Sequence, residues 1–285
     1  MTEQTNNNLS MLSVGSGELA GQIALVTGGG RGIGRATAQA LATAGASIVI
    51  TSRSQTELDQ TLALIEQAGG RGLAVVADIT QQDAVEHLVQ QVEAQWGPID
   101  LLINNAGSTT GLGKISDVDP KKWWIDIETS VHGSMLTSHA VLQSMLARQR
   151  GRIINVASRI GTVPFPFTSS YSVAKTALIR FTEVLALEVR NQGISTFAIH
   201  PGEVPTQITP HKGPDSILPD EFIDDYVKQL HDTPELGATL ITFLATGKAD
   251  ALSGCFINAH DDLLAMIERA ETIQHNHLQR LRLSV

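Results

Sequence analysis

One cysteine, Cys255, stands in a chain of 285 residues, so no intrachain disulfide can form and a reducing compartment fits. Cys255 lies in an apolar run, which favours a buried, inert thiol over a nucleophile. No apolar run reaches the length of about 18 residues that spans a bilayer. The N-terminus lacks the basic-then-apolar order of a signal peptide. No block of basic residues is present and the net charge is −9, which argues against a nucleic-acid or anionic-membrane surface. The histidines form no H-E-x-x-H or other ligand-like grouping, and no metal is expected. The G-x-S-x-G elbow of serine hydrolases is missing. Neither an internal repeat nor a break in composition divides the chain. The expectation is a soluble, cytoplasmic protein without nucleic-acid, membrane or metal partners. It has a polar, loosely attached leader over 1–20 and one domain over 21–285.

What is present is a repeated alternation. Short apolar runs at 22–27, 46–51, 73–78, 99–103, 151–158, 194–200 and 253–258 read as strands buried on both faces. Segments of helical composition separate them, at 35–44, 55–67, 83–96, 121–145, 171–191 and 234–245. Such a pattern predicts an α/β fold with a parallel sheet covered on both sides. The proline-rich stretch 205–232 interrupts it and reads as a lid, while 259–285 reads as a partly helical C-terminal extension (263–270 and 278–285).

Gly28-Gly-Gly-Arg31-Gly32-Ile33-Gly34 follows the first strand directly and opens a helix. Glycines let the backbone turn tightly and approach a pyrophosphate, and a helix N-terminus supplies N–H donors and a positive dipole. The second strand ends in Thr51-Ser52-Arg53, where an NAD-binding protein carries an acid. Arg53, assisted by Arg31, can pair with a 2′-phosphate, which favours NADP(H) and leaves NAD(H) possible. Asp78, ending the third strand, suits either an adenine amino group or the cap of the next helix. Tyr171 and Lys175 are four residues apart and share a helix face. The Lys175 ammonium is expected to lower the Tyr171 pKa from its ordinary value of about 10, making it a general acid or base. Ser158 ends the fifth strand nearby, and His132 is a further relay candidate.

Together, Thr27-Gly28-x-x-x-Gly32-x-Gly34, Asn104-Asn105-Ala106-Gly107, Ser158, Tyr171-x-x-x-Lys175 and Pro201-Gly202 resemble the short-chain dehydrogenase/reductase family in order and spacing. The resemblance covers roughly 21–258. It implies a Rossmann-type doubly wound, mainly seven-stranded parallel sheet with helices on both faces. It further implies NAD(P)-dependent interconversion of a carbonyl and an alcohol on a small molecule, and a homotetramer or homodimer. Tyr171 would be the acid/base, Lys175 would hold the nicotinamide ribose, and Ser158 would bond the substrate oxygen. Thr27, Gly28, Arg31, Gly32, Ile33, Gly34, Ser52, Arg53, Asp78, Ile79, Asn105, Ala106 and Gly107 would line the cofactor path, with Asn104 beside them. Pro201, Gly202, Val204 and Thr206 would approach its carboxamide and phosphate region. The family's asparagine before the fifth strand is replaced here by Ser130. That substitution and the unusual tail motivate one rival reading, a cofactor-sensing or interaction protein with little turnover.

Overall fold

The computed structural model describes residues 12–206, 208–210, 212–213 and 216–282. Seven strands form a single sheet: β1 (Ile23–Thr27), β2 (Ser47–Ser52), β3 (Arg71–Val76), β4 (Leu101–Asn104), β5 (Gly151–Val156), β6 (Ile194–His200) and β7 (Phe256–Asn258). All pairings are parallel and the order is β3-β2-β1-β4-β5-β6-β7. Parallel neighbours require crossovers, and these are α1 (Gly32–Thr43), α2 (Gln55–Gln67), α3 (Gln82–Trp96), α4 (Pro120–Ile127), α5 (Gly133–Arg148), α6 (Ser169–Glu188), α7 (Asp220–Gln229) and α8 (Pro234–Ala245). Two short helices, α9 (Leu263–Glu268) and α10 (Ala270–His275), follow β7.

The continuous apolar strands follow from burial on both faces. Ala24, Val26, Ile48, Ile50, Leu101 and Ile103 enter one core, with Leu41 of α1 and Leu240 of α8. Leu25, Val49 and Leu102 alternate with them into the opposite core, with Leu88 of α3 and Val141 of α5. The strand order reverses between β1 and β4, which opens a crevice outside the carboxyl ends of those strands.

Three expectations change. Residues 12–20 are not loosely attached: Leu12 and Leu19 are buried in the first core, and the amides of Gly17 and Leu19 both donate to the Ala44 carbonyl. Two buried leucines, with Val14 packed beside them, anchor a segment that is otherwise largely exposed. Residues 1–11 lie outside the described part. The segment 278–282 is not helical; instead Phe256 N donates to Gln279 O, so this segment runs beside β7. The third strand begins two residues earlier than its apolar run, because the sheet edge needs no apolar residue at Arg71.

The extension is held by charge as well as by Leu263, Met266 and Ile273 in the core. Burial alone would raise the Glu183 pKa, yet Arg282 and Arg180 keep it below the ordinary carboxylate value.

Candidate active site

The crevice is assembled from strand ends. Thr27 Oγ1 accepts from Asn105 N at 3.0 Å and Ala106 N at 3.1 Å, and donates to Ile103 O, which ties the end of β1 to that of β4. Asn105 Nδ2 donates to the Thr27 and Gly28 carbonyls. Asn104 is corrected from the cofactor path to the interior. It is 1 % exposed and bonds Asn155, Ser138 and Thr137, because its side chain alternates to the inner face of β4.

The glycine loop has the form of a phosphate cradle. Gly28 and Gly32 have φ of 63° and 50°, in the left-handed region that favours glycine. A Cβ at Gly34 would strike the Gly28 carbonyl oxygen and stand 2.5 Å from Asn105 Nδ2. Arg31 at the start of α1 provides no side-chain cap, so the first-turn amides keep their donors for an anion. Arg31 is drawn to Glu57, 3.5 Å away, whereas Arg53 is exposed with no ion-pair partner among the described residues. Thr206 lies over the loop, its Cγ2 3.7 Å from the position of a Cβ on Gly32. Asp78 accepts from Thr80 N and Oγ1 in a local turn ahead of α3, whose N-cap is Gln81, not Asp78. Ile79 is buried against Gly133.

At the other end of the crevice, Lys175 is 3 % exposed and donates to Val156 O at 2.7 Å. Its Nζ is 5.4 Å from the Tyr171 ring centroid. Burial pulls the Lys175 pKa down to about 8, with the Asp126 carboxylate opposing. The Tyr171 hydroxyl is shifted up, not down as the sequence suggested. Burial is the main cause, the Tyr226 hydroxyl adds to it, and the neighbouring Ser158 hydroxyl opposes. The ammonium that was expected to lower it is engaged by a carbonyl and is itself half-neutralised near pH 8.

A stability prediction follows. Between about pH 8 and 10.5 the unfolded chain holds the Lys175 proton that the folded chain has lost. Burial of Lys175 therefore destabilises the fold below pH 8, and this penalty is relieved as pH rises through that window. A Lys175→Met variant should lose that rising component of the stability–pH curve in denaturant titrations; an unchanged curve would refute the assignment.

Ser130 sits on a π-helical turn, Glu128–His132, between α4 and α5. It is fully buried and its Oγ has no partner among the described residues. A Cβ on Gly107 would stand 3.6 Å from Lys175 Nζ and 3.7 Å from Ser130 Oγ, so both groups flank one point. His132 is exposed, as the turn rotates it away from the crevice, which removes it as a relay candidate.

Asp126 escaped the sequence reading. It is fully buried and accepts from Thr110 N at 2.8 Å, Thr110 Oγ1 at 3.1 Å, Gly111 N at 3.0 Å and Ser170 Oγ at 2.6 Å. It thereby ties the 108–112 loop to the residue preceding Tyr171. The available signal was a lone acid between Ile125 and Ile127.

Beside Ser158 a narrow, partly open cleft is lined by Ile160, Val163, Phe165, Glu203, Tyr226 and Leu230, among others. The expected lid supplies one wall. Phe222 and Tyr226 of α7 pack edge-on against Phe165, and Thr109 Oγ1 donates to Ile208 O at 2.6 Å. Gln207, His211, Pro214 and Asp215 of the lid lie outside the described residues. Gly202 has φ of 106°, and a Cβ there would stand 2.8 Å from Asp232 Oδ2, so only glycine lets the lid return so close. His231 and His260, ungrouped in sequence, come together around Asp232 at that return. Cys255 is buried and burial raises its pKa to about 11, in keeping with an unreactive thiol.

A doubly wound parallel sheet with a glycine cradle at its switch point, and a serine, tyrosine and lysine gathered at adjacent strand and helix ends, defines a nicotinamide-dependent oxidoreductase. The chain belongs to the short chain dehydrogenase family, whose profile matches residues 22–216. It is 33% identical over 272 residues to a short chain dehydrogenase of Pseudocercospora fijiensis, covering 90% of this chain and 85% of the relative. A single-substitution variant of actinorhodin polyketide ketoreductase, with NADPH, superposes with a TM-score of 0.77 at 28% identity, over 85% of this chain and 97% of that one. NAD+-bound xylitol dehydrogenase superposes with a TM-score of 0.76 at 26% identity, over 84% and 98%. Among the described residues no helix is long and apolar enough to cross a membrane.

Proposed function

We propose that the chain is an NADPH-preferring reductase of a ketone or aldehyde with an apolar or aromatic part. The observation that carries this reading is the junction of Tyr171, Ser158 and Lys175 with the aromatic cleft. A bound nicotinamide supplies the hydride in reduction and accepts it in oxidation. Gly28, Arg31, Gly32, Ile33 and Gly34 would hold its pyrophosphate, with Asn105, Ala106 and Gly107 along the ribose path and Val204 and Thr206 above it.

Within the site, Ser158 Oγ orients the substrate oxygen by a hydrogen bond. Tyr171 delivers the proton to that oxygen. The upward shift of its pKa suits this role, since the hydroxyl remains protonated at neutral pH. Lys175, still largely cationic at neutral pH, favours the phenolate that remains. A water or hydroxyl at the point that Ser130 and Lys175 flank would link the two for onward passage of a proton. The gathering of these groups at one crevice favours turnover over a sensing role.

Arg53 supports the cofactor preference, as its side chain is exposed and unpaired among the described residues, while Arg31 offsets the Glu57 carboxylate. The test is the decay of nicotinamide absorbance with NADPH and separately with NADH, against aromatic and aliphatic ketones and aldehydes. NADPH should be used faster, and Arg53→Ala should weaken its use about tenfold relative to NADH. Faster use of NADH by the parent would overturn the preference and leave the reaction class standing. We extend the reading to a cytoplasmic homodimer or homotetramer. Support comes from exposed apolar side chains on α4, α5 and α6, among them Trp124, Met135, Val184 and Leu187.

A further inference from the structure

The geometry points to a transition-metal site of the zinc class at the end of the lid, built from His231, Asp232 and His260. One ligand atom from each lies within 4.8 Å of the others. His260 Nε2 is 2.8 Å from Asp232 Oδ2, and His231 Nε2 is 3.9 Å from Asp232 Oδ1. Two imidazoles and a carboxylate are a donor set suited to zinc, cobalt, nickel or copper, and three protein ligands leave a position for water.

The surroundings support binding. His231 Nδ1 is 2.6 Å from the Gln229 carbonyl oxygen. Donation of the Nδ1 proton to that carbonyl leaves Nε2 bare as a ligand, the arrangement found behind metal-bound histidines. Asp232 is largely buried and anchored by Glu203 N at 2.7 Å, so the carboxylate is held in place. His231 is exposed and its ring has room to close the remaining gap toward a common ion. The two imidazole rings are stacked, 6.4 Å apart and inclined by 30°, and the Nε2 of each lies within 4 Å of an Asp232 oxygen.

The placement gives the site a consequence. His231 and Asp232 follow α7 directly, whereas His260 follows β7. An ion shared among them would fasten the lid to the sheet edge. Gln229 and Leu230, just before the ligands, line the cleft beside Ser158. The metal would be structural for the lid and take no part in proton transfer.

The test uses the full chain, stripped with a chelator, and Zn2+ alone as titrant in a calorimeter. One saturable equivalent per chain is expected. His231→Ala and His260→Gln should each weaken it at least about tenfold; the glutamine keeps a polar group opposite Asp232 so that the lid stays folded. No saturable uptake, or uptake unaltered in either variant, overturns the site. Zn2+ should also slow tryptic cleavage of the parent after Lys212 and Lys228, both exposed on the lid. Cleavage at an unchanged rate overturns the fastening.

Discussion

Tyr171→Phe is expected to lower turnover about 10²- to 10⁴-fold while cofactor affinity stays near the parent value. The substitution removes one oxygen and keeps the ring that packs over Lys175. The glycine cradle, Asn105 and Arg53 do not touch that hydroxyl, so binding of NADPH followed by fluorescence should be little changed. The residual rate measures what Ser158 and orientation contribute without a proton donor. Turnover within a few-fold of the parent would show that the proton reaches the substrate oxygen by another route. Ser130, buried with no partner among the described residues and flanking the same point as Lys175, would then be the group to vary.

Asp126→Asn should have the second largest effect, in two separable parts. The first is mechanical. An amide can still accept from Thr110, but it presents N–H groups toward Gly111 N or Ser170 Oγ, where the carboxylate accepted. One buried amide donor left unpaired costs about 1–3 kcal/mol, visible as a lower thermal midpoint. Loosening the loop against the helix that carries Tyr171 should lower kcat by about 10- to 100-fold, since small misplacements of reacting groups are costly. The second part is electrostatic. The Asp126 charge raises the pKa of both Tyr171 and Lys175. With that charge gone, both groups bind protons less tightly, so the basic limb of the kcat profile should move to lower pH. A lower kcat with an unmoved pH profile would reduce Asp126 to a packing residue.

The two variants differ in what the sequence could reveal about them. The gathering of Tyr171, Lys175 and Ser158 was legible because these residue types stand at fixed spacing, and a helix turns a four-residue interval into a shared face. The glycine cradle was legible because only a strand before it and a helix after it give those glycines a purpose. Asp126 was not legible. Its partners, Thr110 and Ser170, are 16 and 44 residues away, and only the packing of α4 against α6 brings them to it. The direction of the Tyr171 shift was misread for a related reason. Spacing reports which charge is near, but burial depends on the whole site, and here desolvation raises the pKa while the Ser158 hydroxyl, not the lysine, opposes it.

The order of strands and helices, the parallel sheet and the family were therefore set by local pattern. Burial on both faces writes continuous apolar runs, and crossovers demand helices between them. What tertiary structure alone decided were the relations between distant residues. These are the burial of Leu12 and Leu19 beneath an apparently loose leader, the inward turn of Asn104, the aromatic wall that α7 sets against Phe165, and the meeting of His231, Asp232 and His260. Each arises where segments far apart in sequence share one small volume, and no local periodicity encodes that.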